Sequence, residues 1–272
     1  MNDLFKLCLH TITTKPLSFQ EACQAYAKRG IRGITIWRDA LEKLPTNDVR
    51  EILKDNDLNL VSYCRGGFFA HTEEGKRKEA IADNKRMIEE AAEIEAPLIV
   101  LVCGAHPDQS PETSRKQIIE GIEEILPMAE YSDIKLAIEP LHPMYADDRS
   151  AINTLHQANT IAEQFNSDYL GVAIDVYHLW WDPDLKKEIY RCGKNNHLFA
   201  FHICDWLTPT KHLLLDRGLM GEGCIDIPQI REWVEDAGFD GFHEVEIFSE
   251  RWWAEDQNAF LDKIVEAYKQ HC

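Results

Sequence analysis

One pattern constrains this chain more than any other. Short apolar runs alternate with longer amphipathic segments, eight times and without interruption. The runs lie at 4–10, 31–37, 58–64, 97–103, 134–139, 169–175, 197–204 and 242–248. The segments that follow them, at 18–30, 47–57, 73–95, 111–131, 151–165, about 184–192, 227–238 and 255–271, read as helices from their apolar spacing. The first opens on Ser18 with Glu21 three residues on, a capping box, and stops at Gly30. Pro127 is expected to disturb the fourth. Runs such as "LIVLVC" are apolar throughout, as strands buried on both faces of a parallel sheet must be. Strict strand-then-helix alternation over 272 residues predicts an α/β protein, a single (β/α)8 TIM barrel domain spanning 1–272. No Pro-, Gly- or Ser-rich linker divides it. An open doubly wound sheet is the alternative, but no G-x-G-x-x-G follows the first run.

Composition removes several roles. A formal net charge of −18 with no basic cluster argues against a nucleic-acid partner. No run approaches the length of a membrane span, so no membrane association is expected. The N-terminal stretch "MNDLFKLCLH" carries Asp3 early and lacks a long apolar region, so no signal peptide is expected. The eight cysteines are scattered without a C-x-x-C pair, and several sit in apolar runs, as Cys103 does. Reduced, mostly buried thiols and a cytoplasmic location follow as expectations.

In such a barrel the chemistry sits where strands run into the loops that follow them. The fifth run ends on Glu139, and the sixth on Asp175 with His178 three residues later. The seventh contains His202 and is followed by Asp205; the eighth contains Glu244 and Glu246. Taken singly, a carboxylate after a strand is an ordinary helix cap, and a histidine in an apolar strand an ordinary core residue. Four successive strands each bringing a ligand-type side chain to one end is not ordinary. Glu139, Asp175, His202 and Glu246 make three hard oxygen donors and one imidazole, a set suited to one divalent metal ion. Mn²⁺ is favoured, with Zn²⁺, Co²⁺ or Mg²⁺ as alternatives. Strand alternation puts Glu244 and Glu246 on the same face, so periodicity leaves both open.

The pieces "IEP" (138–140), "DVYH" (175–178), His202, "DRGLMGEGCIDI" (216–227) and "GFDGFHEVEIF" (238–248) resemble the xylose-isomerase-like barrel superfamily of sugar isomerases and epimerases. The similarity extends over essentially the whole chain and reaches in detail to inosose isomerases and ketose 3-epimerases. It implies that Glu139, Asp175, His202 and Glu246 hold the metal, favouring Glu246 over Glu244. It implies that His178 and Arg217 contact substrate oxygens. It also implies proton removal beside a carbonyl through an enediolate, with Glu139 and Glu246 as the acid/base pair. The expected partner is a small-molecule carbohydrate (an unphosphorylated ketose, keto-sugar or inosose), and the expected assembly is a homodimer or homotetramer.

Other readings share parts of this set. A keto-sugar dehydratase or lyase would use the same metal and enediolate, with His142 as an extra acid. A metal-dependent endonuclease would need further His and Glu ligands and a basic surface, which the charge opposes. A non-catalytic sugar-binding protein would have lost a ligand, and none is lost. His142 and Trp37 are candidate substrate contacts. His10, Arg38, Arg65, Phe68, Phe69 and His106 are further wall candidates near strand ends. The segment "RGGFFAH" (65–71) reads as a lid, its glycines permitting movement and its phenylalanines excluding water. The pairs Trp180–Trp181 and Trp252–Trp253 suit a sugar-stacking wall, a subunit interface or helix-to-barrel packing.

Overall fold

The computed structural model describes residues 4–41 and 44–272; Asp3 lies outside them. Eight parallel strands close into a barrel. They are β1 (Leu7–His10), β2 (Gly33–Trp37), β3 (Asn59–Gly67), β4 (Leu98–Val102), β5 (Lys135–Ile138), β6 (Leu170–Asp175), β7 (Leu198–Ile203) and β8 (His243–Val245). Sequence neighbours pair throughout, and β1 closes the ring on β8. The helices are α1 (Phe19–Lys28), α2 (Thr46–Asp55), α3 (Glu74–Glu93), α4 (Pro111–Tyr131), α5 (Leu155–Phe165), α6 (Leu185–Lys194), α7 (Ile227–Asp236) and α8 (Gln257–His271). The capping box of α1 forms as read, with Ser18 accepting from the Glu21 amide.

The two strand faces carry different side chains. Outward-facing residues such as Ile34, Ile36, Ile99, Leu101, Leu136, Ile138 and Ile174 join the helices in one large apolar core. Inside the barrel a second, smaller cluster of Cys64, Leu98, Val100, Ala137, Ala173 and Ala200 fills the lower layers. The alanines leave room above them for the polar end of the barrel. All eight cysteines are free thiols, six of them buried. No helix among the described residues is long and apolar enough to cross a membrane.

Two expectations need correction. α4 runs unbroken through Pro127. Pro127 and Glu123, the residue four before it, both lie on the exposed face, where solvent can take the carbonyl that a proline leaves unbonded.

The segment 65–71 is not a free lid but part of the barrel wall. Gly66 and Gly67 belong to β3 and pair with β4. The Asn84 side chain accepts from the Gly67 amide (2.7 Å) and donates to its carbonyl (2.8 Å). Phe68 and Phe69 amides bond the Val102 and Cys103 carbonyls. Phe69 is buried against Gly121 of α4. The glycines therefore serve close approach: Gly67 has φ +107°, and a Cβ there would stand 2.0 Å from the Val102 carbonyl oxygen.

Replacement Gly67→Ala should destabilise the chain by about 1–3 kcal/mol or more, from positive-φ strain plus the backbone clash, read as a lowered urea midpoint at unchanged slope. A second expectation comes from His243, which faces outward from β8. Its Nδ1 lies 2.8 Å from the Tyr268 hydroxyl. Burial, reinforced by Arg231 and opposed by Glu235, lowers its pKa to about 4. The unfolded chain titrates this group near pH 6.5, so between those values it binds more protons than the folded chain. Stability from this group is therefore lost as pH falls from about 6.5 toward 4. Urea midpoints should drop between pH 7 and 5, and drop less in His243→Gln.

Candidate metal centre and active site

Register brings the polar residues together. Asp175 ends β6 and pairs with His202 on β7. Glu139 follows β5 directly, its amide bonded to the Leu101 carbonyl (3.1 Å). Glu246 follows β8, its amide bonded to the Ile203 carbonyl (3.2 Å). One ligand atom from each of Glu139, Asp175, His202 and Glu246 lies within 4.8 Å of all the others, and all four residues are buried. His202 Nδ1 is 3.0 Å from Glu139 Oε1, and its Nε2, 3.8 Å from Glu244 Oε2, has no hydrogen-bond partner among the described residues. Asp175 also caps the short helix Val176–Leu179, accepting from the Tyr177 amide (2.8 Å).

Arg217 ties this cluster together. It is buried, and its NH1 donates to Asp175 Oδ2 (2.9 Å) and Glu246 Oε2 (2.8 Å). Its NH2 donates to His178 Nε2 (3.2 Å), which leaves the His178 proton on Nδ1, buried and without a partner. Burial drives the His178 pKa well down and the Arg217 charge lowers it further, so the ring is neutral. Burial raises Asp175 to about 7, against Arg217 and with the help of Glu246 and Glu139. Glu246 goes the other way: burial opposes its charge, but Arg217 and His10 hold the carboxyl well below the usual range. Burial also opposes charge on His202, and the surrounding Glu244, Glu139 and Glu246 outweigh it, lifting the ring to about 10.

A layer deeper lies Glu244. Its Oε2 accepts from Thr35 (2.5 Å) and Ser62 (2.9 Å), and lies 3.2 Å from His10 Nε2. His10 Nδ1 stands 3.0 Å from Glu246 Oε1, so the ring bridges the two glutamates. Depth separates what strand parity leaves open: the four-residue cluster contains Glu246, and Glu244 forms the floor beneath it.

The cluster opens into a cavity of about 170 Å³ lined by Trp37, Arg65, Glu139, Tyr145, Arg149, His178, Arg217, Glu246 and Phe248, with Val102, Leu141 and Leu214. A larger groove of about 690 Å³ lies between α4 and α5 on the outer surface, remote from the cluster. Of the expected substrate contacts, Trp37, His178 and Arg217 line the cavity. His142 does not: its Nδ1 caps a short turn at the Met144 amide (3.2 Å), and its ring packs by Trp181 and Trp206. Neither tryptophan pair lines it. Trp252 stacks on Phe260 of α8, Trp253 donates to the Ile12 carbonyl, and Trp181 donates to the His178 carbonyl. Asp205 turns to the glycine loop, accepting from the Trp206, Gly221, Gly223 and Ile225 amides. Arg38 is paired with Asp83 and Glu90. Tyr145, Arg149 and Phe248 escaped the sequence reading, and Thr35 and Ser62 were visible only as polar residues inside apolar runs.

Three converging carboxylates and a buried imidazole, hard oxygen donors with one borderline nitrogen, fit a divalent cation. The fold and this set define a class: a parallel barrel with a candidate metal centre at the C-terminal ends of its strands. The chain belongs to the xylose isomerase-like TIM barrel family, whose profile matches residues 23–264. It is 44% identical to protein SMc04130 of Sinorhizobium meliloti 1021, with 99% of each chain covered and a TM-score of 0.96. Inosose isomerase of Halalkalibacterium halodurans is 22% identical, the match covering 89% of this chain and 88% of the relative. The IolI protein, solved with a bound zinc atom, shares the fold at a TM-score of 0.86 and 20% identity, over 98% of this chain and 99% of its own.

Because Arg217 compensates two buried carboxylates, Arg217→Met should lower stability by about 3–5 kcal/mol in protein kept free of divalent cations. Urea denaturation in chelator checks this. A loss below about 1 kcal/mol would mean the carboxylates find other partners.

Proposed function

We propose that this chain is a divalent-metal-dependent isomerase or epimerase of a ketose, keto-sugar or inosose. The observation that carries the proposal is the convergence of Glu139, Asp175, His202 and Glu246 beneath a cavity of monosaccharide size. The inosose isomerase relative supports the reaction class. We assign those four residues as the metal ligands, with Mn²⁺ favoured and Zn²⁺, Co²⁺ or Mg²⁺ as alternatives. Bound there, the cation would supply Lewis-acid polarisation of a carbonyl and its neighbouring hydroxyl.

The chain's own groups would do the rest. Glu246 and Glu139 reach the cavity from β8 and β5, on either side of β6 and β7. We assign them as the pair that removes and returns the carbon-bound proton. One glutamate on each face of the substrate inverts a centre; one glutamate serving two adjacent carbons moves the carbonyl. His178 lines the cavity as a candidate contact for a substrate oxygen, and Arg217 orients its ring while holding Glu246 in its charged form. Trp37 and Phe248, in edge contact, form an apolar side of the cavity. The position of His142 outside the cavity lining gives the elimination reading no support, and the net charge of −18 opposes the endonuclease reading.

The test is deuterium wash-in beside the carbonyl, followed by NMR, for metal-loaded protein in D₂O with a panel of ketoses and inososes. Exchange should be abolished by chelator, restored by Mn²⁺, and reduced about 10²–10⁴-fold in Glu246→Gln. Exchange that persists in metal-stripped protein would sink the proposal. Metal analysis should give one ion per wild-type chain, retained in Glu244→Gln and lost or weakened in Glu246→Gln.

A further inference from the structure

With a divalent cation at the candidate metal centre, the cavity would hold more positive charge than its carboxylates require. Arg217 is engaged by Asp175 and Glu246. Two further arginines, Arg65 and Arg149, line the same cavity. The Arg65 side chain has no hydrogen bond or ion pair to another described residue, with Glu139 and Glu246 near enough to favour its charge. Its guanidinium is held over the rings of Phe68 (4.7 Å) and Trp37 (5.5 Å). Arg149 lies over the Tyr145 ring (5.4 Å), and its one ion pair is a long contact of 3.8 Å to its sequence neighbour Asp148. Cation–π contacts of this kind engage a guanidinium without using its N–H donors, which stay available to a planar, bidentate acceptor. Burial and then the adjacent Arg149 charge lower the pKa of Arg65, against the smaller opposing effects of Glu139 and Glu246, so two like charges face one space. A divalent cation at the candidate metal centre would match the carboxylates together with Arg217 and leave both arginines uncompensated.

We propose that Arg65 and Arg149 form a carboxylate-binding end of the cavity, so that the substrate is a keto-sugar acid rather than a neutral sugar. This deepens the proposed function by naming the substrate class at the same site. Carboxylate is favoured over phosphate by the lining itself. No glycine, serine, threonine or lysine is among the described residues that line the cavity, so the backbone amides and hydroxyls that usually cradle a phosphate are missing. The volume of about 170 Å³ also suits a compact sugar acid.

Equilibrium binding by calorimetry tests this without turnover. The metal-loaded protein would be titrated, at fixed ionic strength, with D-fructose, 5-keto-D-gluconate and D-fructose 6-phosphate. The keto acid should bind at least about tenfold more tightly than fructose, a difference of about 1.4 kcal/mol. That advantage should vanish in Arg65→Gln and in Arg149→Gln, with circular dichroism confirming that both variants fold. Arg65→Lys should recover only part of it, because an ammonium lacks the planar fork. Fructose binding as tightly as the keto acid would overturn the proposal. So would tighter binding of the phosphate, an advantage that survives both Gln variants, or no binding of any probe by metal-loaded protein. Failure of 5-keto-D-gluconate itself to take up deuterium with metal-loaded protein, alongside a clear keto-acid preference in binding, would instead overturn the isomerase reading and leave the carboxylate site standing.

Discussion

The structure depends on accommodating several carboxylates inside a barrel. Each buried ion costs several kcal/mol of lost hydration, and this cost is met only by close partners of opposite charge. Arg217 supplies one such partner to both Asp175 and Glu246. His10 supplies another, standing between Glu244 and Glu246. His202 lies against Glu139 and near Glu244. The compensation is shared, so no member can be removed without exposing the others. The opposite pKa directions of Asp175 and Glu246 follow from this sharing. One guanidinium serves two carboxylates, and only Glu246 has His10 as well.

This demand reaches outward into the fold. Arg217 is delivered by a two-stranded hairpin, Asp205–Trp206 against Arg217–Gly218, that leaves the end of β7. Asp205 pins the glycine loop that follows by accepting from its backbone amides, and the Arg217 amide bonds the Phe248 carbonyl. The rings of Tyr177 and Phe248 then hold the guanidinium over the cluster, at 4.4 and 5.1 Å. Beneath it, Thr35 and Ser62 interrupt apolar strands because Glu244 needs donors there. Polar side chains that look like flaws in otherwise continuous strands are thus the support of the site.

How much of this is legible in the sequence depends on the range of the interaction. The barrel is legible because strand and helix periods are local, and because alternation without linkers leaves few topologies. The four converging side chains are legible because parallel strands present their C-terminal ends on one side of the barrel. Arg65 and Gly67 show where this stops. "RGGFF" has the composition of a mobile loop, yet Asn84, seventeen residues away, and the β4 carbonyls fix it in the wall. His142 fails for a related reason. It sits three residues past Glu139, and the path of the chain after β5 turns it toward Trp181 and Trp206. Glu244 and Glu246 share a face and differ only in depth, a quantity that periodicity does not carry. Tyr145 and Arg149 reach the cavity from an irregular loop, whose course no local pattern specifies.

The compensated cluster also ties cation binding to folding. The candidate ligands Glu139, Asp175, His202 and Glu246 come from four separate strands, so the unfolded chain cannot present them together. Any cation that takes this site binds the folded form alone. At a free concentration 100-fold above its dissociation constant it would add about 2.7 kcal/mol to stability. It would also change the task of Arg217. With a divalent charge among the carboxylates, the guanidinium would no longer be their main neutraliser. The cation and Arg217 would thus share one task, the neutralisation of Asp175 and Glu246.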